Sequence, residues 1–171
     1  MSSDAAERMR LLAEGEGAYR EYLTAEILHG HAAAGAVGLN ATDFFTLNVL
    51  ELAGPLTAGQ LAKRTGLTTG AATRMIDRLE EGRFVRRVRD RKDRRKVIVE
   101  AVGDRRADID AALEPARLRL FEVFQQFSAS EIPVLMKYFA AAAPALQAAA
   151  ANLRDRQTAP GRNPPQAPDL R

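Results

Sequence analysis

The chain contains no cysteine, and this absence excludes several classes of site together. Without thiols it can form no disulfide, Cys-based zinc site, thiol nucleophile or thiol redox sensor. The sequence also shows no P-loop, no dinucleotide glycine motif and no nucleophile, histidine and carboxylate at a supporting spacing. We therefore expect that the protein is not an enzyme and uses no cofactor.

Histidine is almost as scarce, with only His29 and His31. Two histidines at i and i+2, with Glu26 as their one acidic neighbour, make a weak metal site. A cationic C-terminus of a helix explains the pair more simply. No metal is expected.

Long apolar runs are also missing, since none approaches the ~18 residues that a membrane-spanning helix needs. The N-terminus, MSSDAAERMRLL, lacks the apolar region of a signal peptide. These two absences predict a cytoplasmic protein with no membrane partner. A length of 171 residues predicts one domain with helical extensions.

What the chain does have is one concentrated basic block, RFVRRVRDRKDRRK, from Arg83 to Lys96. Nine Lys or Arg against two Asp leave +7 there, whereas the whole chain carries +3, so the rest carries −4. A solvated loop is the simpler interpretation, but such loops mix the two signs more evenly. Apolar residues in its first half, such as Val85 and Val88, and alternating ones directly after it, such as Val97 and Val99, predict two strands joined by a charged loop. The block therefore indicates binding to a polyanion.

Helical patterns precede the block. Apolar residues at three- and four-residue spacing predict a long helix over 4–31, followed by a small-residue connector over 29–38. A second helix begins at Asn40, which can cap it, and runs to about Ala53. Apolar residues lie nearly all round this second helix, so we expect it to be buried.

Two short helices follow. Thr57 and Gln60 form a capping box for a helix over 58–65, and Gly66 fits its C-terminal glycine position. Thr68 is placed to cap the next helix, over 69–81, which Gly82 ends. Two short helices joined by a tight turn have the layout of a helix-turn-helix, and the basic hairpin directly after them predicts the winged form.

The C-terminal part is helical as well. Pro115 interrupts a first segment, and Ser128 with Glu131 opens a second one. The second segment carries a heptad seam in which Pro144 should kink or shorten the helix. The seam residues are Ile132, Met136, Phe139, Ala143, Leu146, Ala150 and Leu153. Packing within the chain remains an alternative, but a subunit interface is the better interpretation. Residues 156–171 hold four of the eight prolines and are predicted to be a disordered tail.

Residues 56–101 resemble the winged helix-turn-helix of MarR-type bacterial transcription regulators. The most specific match is the wing motif Asp90-x-x-Asp93-Arg94-Arg95, and the likeness extends over about residues 10–153. It implies a mainly α fold with a small β-wing, in a single domain over 1–155. The winged helix-turn-helix would occupy about 40–101, and dimerisation helices about 4–31 and 104–155.

The resemblance implies a homodimeric, sequence-specific regulator that binds double-stranded DNA at a pseudo-palindromic operator. The resemblance also implies that the protein represses transcription and that a small aromatic effector releases it from DNA. The resemblance would allow an effector pocket lined by Tyr19, Tyr22, Phe44 and Phe45, but ordinary core packing is the favoured interpretation of these four residues. The alternative function is a winged-helix interaction module that binds an acidic protein.

The DNA-binding residues implied are Thr68, Thr69, Gly70, Thr73, Arg74, Arg78, Arg91, Lys92, Arg94 and Arg95. Arg94 would insert into the minor groove, while Asp90 and Asp93 structure the wing, Asp93 by pairing with a nearby arginine. Thr68 would both cap the helix and contact the groove, and Arg78 would either meet a phosphate or remain solvated. Relatives often carry Ser or Arg where this chain has Gly70, Ala71 and Ala72, so thymine methyl contacts and DNA shape would carry more of the specificity.

Overall fold

The computed structural model describes residues 3–90 and 93–158. Its helices are α1 (Ser3–Ala36), α2 (Ala41–Ala53), α3 (Ala58–Thr65), α4 (Thr69–Glu81), α5 (Arg106–Phe124) and α6 (Ile132–Thr158). The strands are β1 (Leu56–Thr57), β2 (Val85–Arg89) and β3 (Val97–Ala101), and a 3-10 turn, Gly103–Arg105, precedes α5. A mainly helical fold with a small β-wing was predicted, and the structure confirms it.

The three strands form an antiparallel sheet in the order β1-β3-β2. Val85 pairs with Ala101 and Arg89 with Val97, so β2 and β3 form a hairpin whose loop carries part of the basic block. Strand β1 adds to the other side of β3, with Leu56 opposite Val99. This third strand, just before α3, was not predicted, because two residues are too short for a periodic pattern.

The core lies in the winged helix-turn-helix. Its fully buried side chains come from α3, α4 and the sheet, and they include Leu61, Ile76, Leu79, Val85 and Val99. Helix α2 covers them with Leu47 and Leu50, and Ile109 of α5 packs against the same cluster. The core thus fixes the relative positions of α4 and the hairpin.

Helix α1 is longer than expected, because the predicted connector over 29–38 is helical as far as Ala36. Alanine is the best helix former, and its small side chain lets Ala33 and Ala34 become buried. Gly38, at φ 78°, then ends the helix as Leu39 N–H donates to the Ala34 carbonyl. Because α1 continues past both histidines, they do not lie in its last turn, and the helix-terminus explanation of that pair is wrong.

Helix α2 begins at the predicted cap, with Asn40 Oδ1 accepting from Asp43 N–H at 2.9 Å. The expectation that α2 is buried all round is wrong, since Phe45 is exposed and Leu52 is 82% exposed. One face packs on the core through Leu47 and Leu50, while the opposite face is left apolar and uncovered in the protomer.

The prolines neither interrupt α5 nor shorten α6, and a kink at Pro144, the other predicted effect, stays a prediction. Pro115 lies inside an unbroken α5, and Pro144 inside an α6 that is not shortened. A helical proline removes one backbone hydrogen bond, and long helices retain the others. The helix through Thr158 also makes residues 156–158 helical, whereas a disordered tail was predicted from 156. Residues 159–171 of that prediction lie outside the described part of the chain.

The chain divides into two compact units, one up to Arg117 and one from Leu118 onwards. The second unit is the end of α5, the Ser128–Glu131 turn and α6. In that turn, the Ser128 N–H donates to a Glu131 carboxylate oxygen at 2.8 Å, as a capping pair should. The prediction of a single domain over 1–155 stays a prediction.

Helix α6 is long and apolar enough over Ile132–Arg156 to cross a membrane, with a mean hydropathy of 1.2 in its most apolar window. The expectation that the chain has no such segment is therefore wrong, as far as helix length and composition are concerned. Alanine accounts for much of the signal, because α6 carries two runs of four alanines, at 140–143 and 148–151. Buried core helices of soluble proteins meet the same criteria, and although α6 is not buried, a single helix of this kind is weak evidence for a membrane segment.

Candidate nucleic-acid interface

Two threonine caps start the helix-turn-helix. The Thr57 hydroxyl accepts from the Gln60 N–H, and the Gln60 side chain accepts from the Thr57 N–H at 2.8 Å. Thr68 caps α4 by accepting from the Ala71 N–H at 3.3 Å. Its hydroxyl proton stays available to donate, so Thr68 can cap the helix and still contact a base edge.

Left-handed residues end both helices. Gly66, at φ 74°, closes α3 as Leu67 N–H donates to the Ala62 carbonyl. After α4 this conformation falls on Arg83, at φ 61°, and not on Gly82 as glycine preference suggests. A β-carbon on Gly82 would lie 2.9 Å from the Phe84 ring, so close packing explains the glycine there.

Helix α4 has one buried and one exposed face. Ala72, Met75, Ile76 and Leu79 face the core. On the opposite face, the predicted groove-contacting residues Thr69, Gly70, Thr73 and Arg74 are all exposed. The first turn of α4 thus presents small and hydroxyl-bearing side chains beside one arginine, and such a face fits the major groove.

Arg78 differs from Arg74, although both were assigned to DNA. Arg78 Nε donates to Asp43 Oδ2 at 2.9 Å, and its terminal nitrogen to Asp43 Oδ1 at 2.7 Å. Asp43 is 2% exposed, while the Arg78 side chain remains 51% exposed. The hydrogen bond to Asp43 raises the pKa of Arg78 further above its ordinary value. The sequence interpretation missed this pair, which joins α2 to α4, and DNA contact by Arg78 stays a prediction.

The wing turn is built on two aspartates. Asp90 Oδ1 accepts from the Asp93 N–H at 2.9 Å, and Asp93 Oδ1 accepts from the Arg95 N–H at 3.1 Å. The carboxylate of Asp93 forms an ion pair with Lys96 at 3.6 Å, whereas an arginine partner was predicted. Arg94 and Arg95 are exposed at this turn. The bonds hold the backbone that carries both arginines, and this geometry agrees with the wing-structuring role implied for Asp90 and Asp93.

Several positive charges of the basic block form ion pairs with carboxylates of the same chain. Arg86 bonds to Glu100 across the hairpin, at 2.6 Å. Arg87 binds Asp77 and Glu80, which both lie on α4. The net charge of the block therefore overstates the positive charge that is free to bind a polyanion. The exposed arginines of the wing turn supply a larger share of that free charge. Arg91 and Lys92, also assigned to DNA, lie outside the described residues.

The four aromatic residues of the predicted effector pocket are not core residues. Tyr19, Tyr22 and Phe45 are exposed, and Phe44 is half-buried. Partial burial raises the pKa of Tyr22 above its ordinary value, and Glu26 adds to the shift. Core packing, the favoured interpretation, is wrong for the three exposed residues, and the assignment of all four to an effector site stays a prediction.

Comparison with known proteins places this geometry in a family. The sequence model of the MarR family matches residues 37–96, from the end of α1 to the wing. YcgE of Bacillus subtilis, an uncharacterized HTH-type transcriptional regulator, is 34% identical over 125 residues, which cover 73% of this chain and 81% of YcgE. The chain belongs to the MarR family. It is a DNA-binding transcriptional regulator.

Solved structures agree with the assignment to the MarR family. A MarR family protein from Bacillus stearothermophilus is 26% identical, with a TM-score of 0.63 over 81% of this chain and 96% of that protein. The transcriptional regulator BldR from Sulfolobus solfataricus is 29% identical, with a TM-score of 0.51 over 82% of this chain and 99% of BldR. The MarR winged-helix fold is therefore confirmed over most of the chain.

Proposed function

We propose that the protein is a homodimeric, sequence-specific regulator of the MarR family that binds a pseudo-palindromic operator and represses transcription. The observation that carries the proposal is the pairing of an exposed α4 face with an exposed arginine turn on one rigid core. A helix of this kind fits the major groove, and a narrow basic hairpin fits the flanking minor groove. The protein would act in the cytoplasm, where bacterial DNA lies.

The exposed apolar surface supports the dimer. Helix α1 exposes Leu12, Tyr22, Leu23 and Ile27, among other apolar residues. The heptad seam of α6 is exposed at Met136, Phe139, Leu146 and Leu153. Large exposed apolar patches are rare on soluble monomers and usually mark an interface, and each of these two helices exposes a series of large apolar side chains. We assign it to a second copy of the chain, and not to a membrane.

A two-fold dimer would place two α4 helices on one side of the duplex, about one turn or ~34 Å apart. Such symmetry requires an operator with two related half-sites. A small aromatic effector bound near Tyr19, Tyr22, Phe44 and Phe45 would release DNA only if it favoured another spacing of the two helices.

Selection of bound sequences from random double-stranded DNA tests this proposal. We expect an enriched pair of inverted half-sites and a logarithm of the association constant that falls steeply with the logarithm of salt concentration. Failure to enrich any sequence would contradict it, and binding to an acidic protein without DNA would favour the interaction-module alternative.

A matched pair of arginine variants sharpens the test. Arg94→Ala should weaken operator binding by about 10- to 100-fold and leave the fold intact, because Arg94 is exposed at the wing turn. Arg119→Ala removes the same charge from an α5 side chain that is 82% exposed, and it should change operator binding little. Equal affinity of the Arg94 variant and the wild type in a gel-shift titration would refute the assigned role.

A further inference from the structure

Arg87 is a member of the basic block whose side chain is directed at the protein itself. It lies in the middle of β2, opposite Val99 of β3. Its guanidinium binds Asp77 at 2.5 Å and also binds Glu80. Its backbone N–H donates to Glu80 Oε1 at 2.9 Å. One residue of the wing therefore makes three hydrogen bonds to two carboxylates of the recognition helix.

The two carboxylates lie three residues apart on one side of α4, so a single guanidinium can reach both. Acidic side chains on a DNA-reading helix are unfavourable for binding, because they repel phosphates. Their presence here needs another explanation, and their contacts with Arg87 supply one. The backbone N–H of Arg87 lowers the pKa of Glu80 below its ordinary value, which is the direction expected for a carboxylate held by an arginine.

We propose that Arg87 is a positioning residue: with Asp77 and Glu80 it fastens the wing to the recognition helix, so that both enter DNA as one unit. This inference rests on the proposed DNA-binding function and assigns Arg87 no contact with DNA. We name the three residues Arg87, Asp77 and Glu80 the wing clamp.

The wing clamp affects DNA contacts because a small rotation of the hairpin at Arg87 becomes a larger displacement at the wing turn. Asp90, where the wing turn begins, lies three residues beyond Arg87, or about 10 Å along a strand, so a rotation of ~15° would move that end of the turn by ~2.5 Å. A displacement of that size breaks hydrogen bonds, which tolerate only a few tenths of an ångström. Loss of the clamp should therefore cost the contacts of Arg94 and Arg95 without unfolding the core.

Neutralising Asp77 and Glu80 tests the inference, because the direction of the change in DNA affinity distinguishes the clamp from simple charge repulsion. Asp77→Asn and Glu80→Gln each remove a negative charge from the DNA-binding helix, and electrostatics alone predicts tighter binding for both. The clamp predicts the opposite, an affinity about 5- to 30-fold lower for the double variant. Glu81→Gln is the control, since Glu81 is exposed on the same helix with no ion-pair partner among the described residues, and it should not weaken binding.

The effect of Arg94→Ala in two backgrounds separates positioning from mere stability. In the wild type this substitution should cost the full 10- to 100-fold, whereas in Arg87→Gln it should cost less than about threefold, because the turn is already misplaced. Arg87→Lys should restore little, since an ammonium cannot reproduce the two-pronged bond. All affinities are measured on the selected operator well below the melting temperature of each variant.

Three outcomes would overturn the inference: tighter binding by the Asp77 and Glu80 variants, an undiminished cost of Arg94→Ala in Arg87→Gln, or restoration of affinity by Arg87→Lys. If the wild type binds and one of these is seen, only the clamp is wrong. If the wild type enriches no DNA sequence at all, the proposed function is wrong and the clamp falls with it.

Discussion

The winged helix-turn-helix and the long helices α1 and α6 use apolar residues in opposite ways. In residues 41–101 the apolar side chains of α3, α4 and the sheet converge on a shared core. In α6, through residue 156, no side chain is buried, although its apolar positions recur at heptad spacing. The first region buries its apolar residues within one chain, whereas the apolar seam of α6 stays uncovered.

Under the proposed dimer, the DNA-binding core folds within one chain, whereas the long helices gain much of their stability from association. Hydrophobic burial stabilises by about 25 cal/mol per Å², so an uncovered seam contributes little until a partner covers it. The stability of the long helices should therefore depend on protein concentration more than that of the DNA-binding core.

The largest effect should follow from a charge placed in the seam. Leu146→Glu should weaken the dimer at least ~100-fold, because each copy loses ~1.5–3 kcal/mol of leucine burial and gains a buried, unpaired carboxylate. Sedimentation velocity of the variant would show a monomer, and operator affinity would fall with it. Gln147→Glu adds the same charge one residue away, off the seam, and should remain dimeric. A dimer unchanged by Leu146→Glu would show that the seam lies elsewhere.

A second prediction concerns the finished core. Arg78→Ala should destabilise the fold by about 2–4 kcal/mol, because it leaves the buried carboxylate of Asp43 without its partner. Arg74→Ala, one turn away on the exposed face, should change stability by less than ~0.5 kcal/mol and weaken DNA binding instead. Urea unfolding and gel-shift titration measure the two quantities. Similar stability losses in both variants would contradict the distinction between these arginines.

The smallest effect concerns two glycines in equivalent positions. Gly59 and Gly70 are each the second residue of a helix with a threonine cap, and a β-carbon would fit at both. Alanine at either site should stabilise the fold by ~0.5 kcal/mol, since it restricts the unfolded chain. Only Gly70→Ala should also weaken operator binding, by a few-fold, because its added methyl lies on the groove-facing turn.

Thermal unfolding and gel-shift titration of both glycine variants check this prediction. Equal loss of affinity in Gly59→Ala would show that the effect is not specific to the reading turn. Unchanged affinity in Gly70→Ala would show that the backbone does not approach DNA closely there.

Local signals in the sequence were the most successful predictors. Thr57, Gly66 and Thr68 act within a few residues of themselves, and the helices they bound have the predicted limits. The alternation around the basic block likewise predicted the hairpin. Failures occurred where local preference was ambiguous. The alanines after His31 are predicted to form a connector, although alanine favours a helix, and they extend α1 to Ala36.

Side-chain partnerships across the fold could not be predicted in the same way. Asp43 and Arg78 lie 35 residues apart, and nothing in their local sequence distinguishes Arg78 from Arg74. The same holds for Arg87, because nearby arginines in the basic block have the same side chain and similar sequence neighbours, yet they remain exposed. Such pairs form only after helices and strands have packed, because they depend on distances that no local rule specifies.

By itself the sequence determined the helix-turn-helix, the hairpin, the excess of positive charge and the apolar seam of α6, because each depends on residues near one another along the chain. The tertiary structure decided which of those charges remain available. It turned Arg78 towards a buried aspartate and Arg87 towards the recognition helix, and it left Arg74, Arg94 and Arg95 exposed. The physical reason is that the availability of a charge for binding depends on which opposite charges lie near it in space, and packing decides which residues become neighbours.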